Sequence, residues 1–296
     1  MRHLLGIDGW RRDEIETLLD RAEAHLPGGA ASASVLQGKV VANLFFEDST
    51  RTRTSFEIAA KSLGAQVLNW TAQGSSVSKG ETLLDTVRNI EATGPVALVI
   101  RHRSSGAPHL AAQHVRCAVI NAGDGTHEHP SQALLDAFTL RRHWGSLDGR
   151  TVLIVGDILH SRVARSNILC LTALGARVVV CGPPTLLPVG LKEMGAEVTT
   201  KLDAVLPQAD AVMCLRLQLE RQTESFFPST REFSRLWGLN PARADRMKAG
   251  ALVMHPGPIN RGVELAPAVA DGARSVILEQ VANGVAVRRA ILEVCS

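Results

Sequence analysis

The sequence contains no C-x-x-C pair. Its five cysteines, Cys117, Cys170, Cys181, Cys214 and Cys295, are scattered, odd in number and mostly set in apolar runs such as VVVCG and AVMCL. That pattern indicates neither a zinc site nor a redox pair, and it fits buried free thiols in a reducing compartment. Charge of one sign is also scarce. A net charge of +3 over 296 residues gives no case for a nucleic-acid partner, and a basic site for an acidic metabolite fits it equally well. No apolar run approaches the length of a membrane span. The opening residues, MRHLLGIDGWRRDEIETLLDRAEAHL, lack the apolar core of a signal peptide. A soluble cytoplasmic protein with no membrane partner is expected. There is no repeat of solenoid length and no low-complexity tract. Neither G-x-x-x-x-G-K-[ST] nor G-x-G-x-x-G occurs, so no nucleotide or dinucleotide cofactor is implied.

What is present is a chain that is 45% hydrophobic and long enough for two domains at about 100–200 residues each. Residues 38–123 alternate apolar β runs with helical periods, which implies a parallel sheet with crossovers. A helix is expected over 130–145, with Pro130 in its first turn. A second strand–helix series opens at TVLIVGD (151–157) and closes at ALVMHPGP (251–258). The expected fold class is α/β: two domains, each a parallel sheet flanked by helices, with the active site in the cleft between them. The expected division is 1–130, a linking helix at 131–145, and 146–275. A terminal helix at 276–296, weakened by Gly284, is expected to rejoin the first domain. Residues 71–80 form a small polar loop. Residues 218–240 have no clean period and suggest a long functional loop with short helices.

Chemistry-bearing residues cluster after strands, where open parallel sheets bind ligands. In FFEDSTRTRTSFE, Ser49, Thr50, Arg51 and Thr52 lie between a buried strand and a helix start. Unsatisfied N–H groups there, hydroxyl donors and an arginine fork together suit a phosphate. The bland alternative is an ordinary N-cap beside a surface arginine. Lys79, in SSVSKGET, taken alone is a solvated charge. After PVALVI the residues leave Arg101, His102 and Arg103 all open as anion ligands. His127 and His129 lack the i,i+4 helical spacing of a metal pair, and no third ligand is obvious, so no metal is expected. His129 stands at a helix start, where the dipole favours a neutral imidazole able to donate to a carbonyl oxygen. Arg162 and Arg216 lie at the ends of strands in the second series. Two guanidinium forks there suit a dicarboxylate, with Arg165, Arg221 and Arg231 as competitors. HPGP (255–258) is a rigid turn whose carbonyls can accept hydrogen bonds, or a simple loop brace.

Seven ordered blocks, HLLGIDGWRRDEIETLL, SSVSKGETLLDTV, VIRH, HPSQALLDAFT, GDILHSRVARS, RLQLER and MHPGPINRGVEL, join FFEDSTRTRTSFE in a pattern covering essentially the whole chain. This pattern resembles the aspartate and ornithine carbamoyltransferase family. The resemblance implies that Ser49, Thr50, Arg51 and Thr52 bind carbamoyl phosphate. Ser75 and Lys79 would reach a neighbouring subunit's site, contacting phosphate and substrate carboxylate, which implies a homotrimer with shared sites. Arg101 would hold phosphate and carbonyl oxygen, His129 the same oxygen, and Gln132 the carbamoyl amide. Pro256 and Gly257 would accept from the carbamoyl amine; Gly257 stands where some relatives carry Leu. Lys79, Arg162, Arg216, Gln218 and Pro258 would bind the amino-acid substrate, Arg162 at its α-carboxylate and Arg216 with Gln218 at its side-chain carboxylate. The oxyanion would rest on Thr52, Arg101 and His129, with Arg51 and Lys79 completing the catalytic set.

Three features favour aspartate over ornithine as acceptor. HPGP replaces the cysteine-bearing turn of the ornithine enzymes, Glu47 stands where those enzymes tend to carry Lys, and RLQ supplies positive charge for a second carboxylate. The implied reaction needs neither metal nor organic cofactor. A non-catalytic trimeric scaffold for other pyrimidine enzymes is the rival from another class. Regulatory chains or a dihydroorotase are possible further partners.

Overall fold

A computed structural model describes residues 3–32, 34–71, 80–218 and 229–296. The chain divides into two compact units, Met1–Phe138 with Ala282–Ser296, and Thr139–Val281. In the first unit the elements run α1 (Arg12–Ala24), β1 (Val40–Phe45), α2 (Thr50–Ser62), β2 (Gln66–Thr71), α3 (Leu83–Glu91), β3 (Ala97–His102), α4 (Ala107–Ala112) and β4 (Ala118–Asp124). The helix α5 (Pro130–Trp144) begins in this unit and ends in the second. The second unit continues with β5 (Thr151–Val155), α6 (Arg162–Ala173), β6 (Arg177–Cys181), β7 (Ala196–Thr199), α7 (Leu202–Val205) and β8 (Ala211–Cys214). It closes with α8 (Thr230–Trp237), α9 (Pro241–Ala244), β9 (Leu252–Met254) and α10 (Pro267–Ala270). The last helix, α11 (Ile277–Cys295), begins in the second unit and finishes in the first.

Each unit is built on a parallel sheet flanked by helices. The first sheet has the order β2-β1-β3-β4 and the second β7-β6-β5-β8-β9. Every pairing is parallel, so all strand carboxyl ends in a sheet lie on one edge. Central strands are buried on both faces, which is why they appear in the sequence as continuous apolar runs rather than alternations. Thus Ala42, Leu44, Leu98, Ile100 and Val119 pack into one core. Leu153, Val155, Val179, Val212 and Val253 pack into the other. The edge strand β2 is mostly exposed or half-buried.

Strand order adds something the alternation alone does not contain. The chain lays β2 on one side of β1 and then β3 on the other. It likewise lays β6 and β7 on one side of β5 and β8 and β9 on the other. Each sheet therefore has a switch point, β1/β3 and β5/β8, where diverging loops leave a crevice.

Two glycines are fixed by close approach. Gly156 follows β5 with φ +138°, and a Cβ there would collide with the Leu215 carbonyl. Gly284 does not interrupt α11. A Cβ at that position would lie 2.5 Å from Arg288 Nη1 and 3.2 Å from Leu135 Cδ2, so the glycine admits two buried neighbours. No helix among the described residues is long and apolar enough to cross a membrane.

Candidate functional site

The first unit gathers its predicted residues at the switch point of its sheet. Ser49 is the N-cap of α2 with extended backbone, yet its hydroxyl makes no capping hydrogen bond. The first turn of α2 carries no acidic residue, so no carboxylate within it offsets the positive end of the helix, although Glu47 and Asp48 precede the cap. Thr50 and Arg51 are exposed and Thr52 is buried. Arg101 lies on the adjacent strand, in register with Phe45, the last residue of β1. Its Nη1 donates to the Ala122 carbonyl at 3.2 Å, and its Nε lies 3.7 Å from Glu47 Oε2. These contacts hold the guanidinium at the strand edge, whereas Arg103 is exposed and the His102 ring packs at a tilt against Phe46, centroids 5.0 Å apart. Burial lowers the His102 pKa, and Nδ1 accepts from the Ser104 N–H, which an imidazolium could not do, so that ring favours the neutral form.

The third neighbour, β4, leads to His129 and the start of α5. His129 is 4% exposed and Gln132 8%. The His129 carbonyl accepts from the N–H groups of Gln132 and Ala133, which fixes the ring at the helix entrance. Gln132 Nε2 donates to Asp136 Oδ1 at 2.9 Å. A carboxylate acceptor requires the amide NH2 on its side, so the Gln132 oxygen faces the opposite way, able to accept from an amine. Asp136 is fully buried and lies near Arg288 of α11. Burial pulls the Arg288 pKa down to about 10 while Asp136 opposes it. Arg288 Nη1 donates to Ser55 Oγ on α2 at 3.0 Å, and its guanidinium lies 5.2 Å from the Phe56 ring. The helix carrying the anion turn and the helix carrying Gln132 are therefore tied through one buried arginine.

In the second unit the predicted residues lie at the carboxyl ends of β5, β8 and β9, neighbours across the switch point. Arg162 is the first residue of α6 and is 5% exposed; the Ser161 hydroxyl before it accepts from Ala164 N at 3.1 Å. Arg216 follows β8 and is half-buried. Gln218 N donates to Asp157 Oδ2 at 3.3 Å, and its side-chain nitrogen donates to the His160 carbonyl at 3.0 Å. Asp157, fully buried, also accepts from His160 N and pairs with His160 Nδ1 at 2.9 Å.

The turn after β9 is braced from inside. His255 Nδ1 accepts from Gly257 N at 2.8 Å, which places the ring proton on Nε2, 3.2 Å from Glu264 Oε1. The same carboxylate oxygen accepts from Asn260 N at 2.6 Å, and Asn260 Nδ2 reaches the Leu217 carbonyl at 3.4 Å. Pro256 and Gly257 are half-buried, Pro258 is exposed, and the Gly257–Pro258 bond is cis. The turn is thus linked to the segment carrying Arg216 and Gln218.

Ser75 and Lys79 lie outside the described residues, as does Arg221. Asp136, Arg288, Asp157 and Glu264 were not expected from sequence. Only Asp136 left a signal there, four residues from Gln132 on one helix face. The expectation that no third ligand accompanies His127 is corrected by the fold: Asp124 and His109 converge on it, and His129 is not part of that group. The five cysteines are free, and four of them are buried. Burial pushes the Cys181 and Cys295 thiols up to about 12, far from reactivity.

Residues 2–142 match the family model described as aspartate/ornithine carbamoyltransferase, carbamoyl-P binding domain. Residues 148–295 match that of the Asp/Orn binding domain of the same family. The chain is 82% identical, over the full length of both, to the aspartate carbamoyltransferase catalytic subunit of Myxococcus xanthus. It is 60% identical over 294 residues to that of Sorangium cellulosum, covering 98% of this chain and 92% of the relative. Among solved structures it resembles Trypanosoma cruzi aspartate transcarbamoylase in complex with carbamoyl phosphate and aspartate. That match has a TM-score of 0.89 and 32% identity, covering 99% of this chain and 96% of the other. The catalytic subunit of the M. jannaschii enzyme matches with a TM-score of 0.85 and 33% identity, over 100% and 98% of the two chains.

Proposed function

Because the chain belongs to the aspartate/ornithine carbamoyltransferase family, we propose that it transfers the carbamoyl group of carbamoyl phosphate to the amine of L-aspartate, giving N-carbamoyl-L-aspartate and phosphate. The observation that carries this reading is the placement of anion-holding groups at both sheet switch points. One has a helix whose first turn carries no acid, beside Arg101; the other has Arg162 and Arg216 at the ends of neighbouring strands.

In this reading the phosphate is held by the N–H groups and hydroxyls of Ser49, Thr50 and Thr52, with Arg51, Ser75 and Lys79. Arg101 spans phosphate and carbonyl oxygen. The Gln132 oxygen, turned outward by Asp136, accepts from the carbamoyl amine together with the carbonyls of Pro256 and Gly257. Arg162 takes the α-carboxylate of aspartate. Arg216 and Gln218 take its side-chain carboxylate, with Lys79 and Pro258 beside it. The substrate amine attacks the carbonyl carbon, and the developing oxyanion rests on Thr52, Arg101 and His129. As the new C–N bond forms, the C–O bond to phosphate breaks, and the amine proton leaves on the phosphate dianion. No side chain acts as nucleophile; positioning and electrostatics supply the acceleration. Lys79 and Ser75 act in a neighbouring subunit's site, so the working unit is a homotrimer, and the enzyme is placed in the cytoplasm. The domain division follows the substrates: 1–130 with the terminal helix for carbamoyl phosphate, 131–145 linking, and 146–275 for aspartate.

The test is product analysis by purified protein given carbamoyl phosphate with L-aspartate and L-ornithine in parallel. Carbamoyl-aspartate alone is expected. Citrulline would refute the assignment of residues 216–218 and 255–258. Binding of carbamoyl phosphate with no turnover would replace the enzyme by a scaffold.

A further inference from the structure

One group of ligating side chains includes none of the residues assigned above. Among the described residues, His109, Asp124 and His127 each offer a ligand atom, and the three atoms lie within 4.8 Å of one another. Asp124 ends β4, His127 lies in the turn after it, and His109 is on the short helix α4. We propose that these three side chains form a binding site for a borderline divalent cation, with zinc the foremost candidate, that uses none of the substrate-binding side chains.

Four observations support the proposal. First, the donor set is two imidazoles and one carboxylate, which suits zinc, nickel or copper and not calcium or magnesium, whose preferred ligands are oxygens. Second, Asp124 is fully buried and already oriented. It accepts from Gly106 N at 2.6 Å, Asn121 Nδ2 at 2.8 Å and Glu128 N at 3.1 Å. Such outer bonds are what hold a ligating carboxylate in place. Third, His127 Nδ1 lies 3.0 Å from Asp124 Oδ2, so an ion bridging the two takes the place of the proton between them. Fourth, His109 presents its ring at 5.4 Å, edge to face, to His127, and its Nδ1 is buried with no hydrogen-bond partner. A buried polar atom without a partner is costly, and ligation through Nδ1 would satisfy it.

The dimensions fit. Tetrahedral zinc places its ligand atoms about 3.4 Å apart, so small side-chain rotations close the set. The His127 side chain is 40% exposed, which leaves an entry path and a place for a water as fourth ligand. The turn that would carry the ion runs directly into His129, so binding would brace the entrance of α5.

The experiment uses the full-length protein stripped with a chelator and titrated with Zn2+ against a chromophoric competitor, and in parallel with Co2+ followed by its visible spectrum. One equivalent per chain is expected. The cobalt spectrum should be four-coordinate in intensity and free of thiolate charge transfer. His109→Gln and His127→Gln should each weaken Zn2+ binding at least about tenfold, and the double variant should abolish it. Zinc should raise the melting temperature of the wild type and not of the double variant. Absence of saturable Zn2+ binding would overturn the proposal. So would binding retained by the double variant, or a cobalt–thiolate band assigning the ion to the cysteines. The cobalt spectrum of the wild type decides the matter even if a variant fails to fold. None of these readings depends on carbamoyl transfer.

Discussion

Gln132 donates its side-chain amide to Asp136 one turn further along the same helix, at 2.9 Å, and thereby presents its carbonyl oxygen in the opposite direction. Asp136 does this from full burial, beside Arg288. Replacing it with Asn removes the obligatory acceptor and lets the Gln132 amide sit either way round. Asp136→Asn is expected to lower kcat/KM for carbamoyl phosphate by up to about 100-fold, the effect of misplacing one contact. Gln132→Ala should match it, and the double variant should lose no more than either alone. Steady-state kinetics alongside a melting curve separate this from mere unfolding; full additivity of the two losses would sink the linkage.

In the proposed reading, Arg162 and Arg216, at the β5 and β8 ends, divide the aspartate between them. Arg216→Ala removes a charge-assisted fork, an interaction of about 1.5–3 kcal/mol, or roughly 10–100-fold in kcat/KM. The loss should appear in the aspartate KM while carbamoyl phosphate binding is unchanged. A monocarboxylate competitor should then inhibit wild type and variant alike, whereas a dicarboxylate should lose affinity for the variant only. Equal loss for both competitors would move the side-chain pocket elsewhere.

Acid sensitivity in the second unit should centre on Asp203. Its carboxylate accepts from Arg243 Nε and Nη2 at 3.1 and 3.0 Å and from Arg246 Nη1 at 2.7 Å. Hydrogen bonding to Arg243, ahead of the other causes, holds its pKa below the ordinary carboxylate value. A group with a depressed folded pKa contributes stability above the unfolded value and loses it as pH falls through the folded one. Asp203→Asn should therefore be less stable than wild type near neutrality, and the two should converge in strong acid. Urea melts at pH 7 and below pH 3.5 read this directly; a gap that stays constant with pH would exclude Asp203 as its source. The size is modest, because the carboxylate is 48% exposed to screening water.

Much of this architecture was legible in the sequence, for a physical reason. A buried parallel strand is an unbroken apolar run, and a helix start after it announces itself through hydroxyls and arginines, as at Ser49–Thr52. What was not legible is anything decided by distant pairing. Ser55 and Arg288 are hydrogen-bonded yet 233 residues apart in sequence. Nothing local to either names the other. Glu264 supports the His255 turn, but a lone acid in INRGVEL has no periodicity to mark it. Strand order was equally hidden, since alternation fixes parallel pairing and not which strand flanks which. Gly284 reads in the sequence only as a helix weak point; that two side chains occupy the space its Cβ would need is not legible there.

That packing makes Gly284→Ala a stringent test. The added methyl would meet Arg288 Nη1 at 2.5 Å and Leu135 Cδ2 at 3.2 Å. Ala is the better helix former by about 1 kcal/mol, so an open site would be stabilised. In this site overpacking of about 1–3 kcal/mol should win, because the buried guanidinium swings aside only by giving up its bonds to Ser55 and the Gly284 carbonyl. The melting temperature should fall, and carbamoyl phosphate binding should weaken as Arg288 shifts against Ser55. A rise in melting temperature would show that Arg288 is not held where its bonds to Ser55 and the Gly284 carbonyl place it.

Shared sites predict complementation between dead variants. Lys79→Ala removes a residue proposed to act in a neighbour, and Arg216→Ala one that acts in its own subunit. Each homotrimer alone should be nearly inactive. If equal amounts are unfolded together and reassembled, a site is intact when its own subunit carries Arg216 and the adjacent one carries Lys79. Random assembly of a cyclic trimer gives this for about a quarter of sites. Recovered activity near that fraction, absent when the two proteins are mixed without reassembly, would support trimers with sites built from two chains. Activity that stays at the level of the separate variants would return Lys79 to the bland status of a solvated lysine.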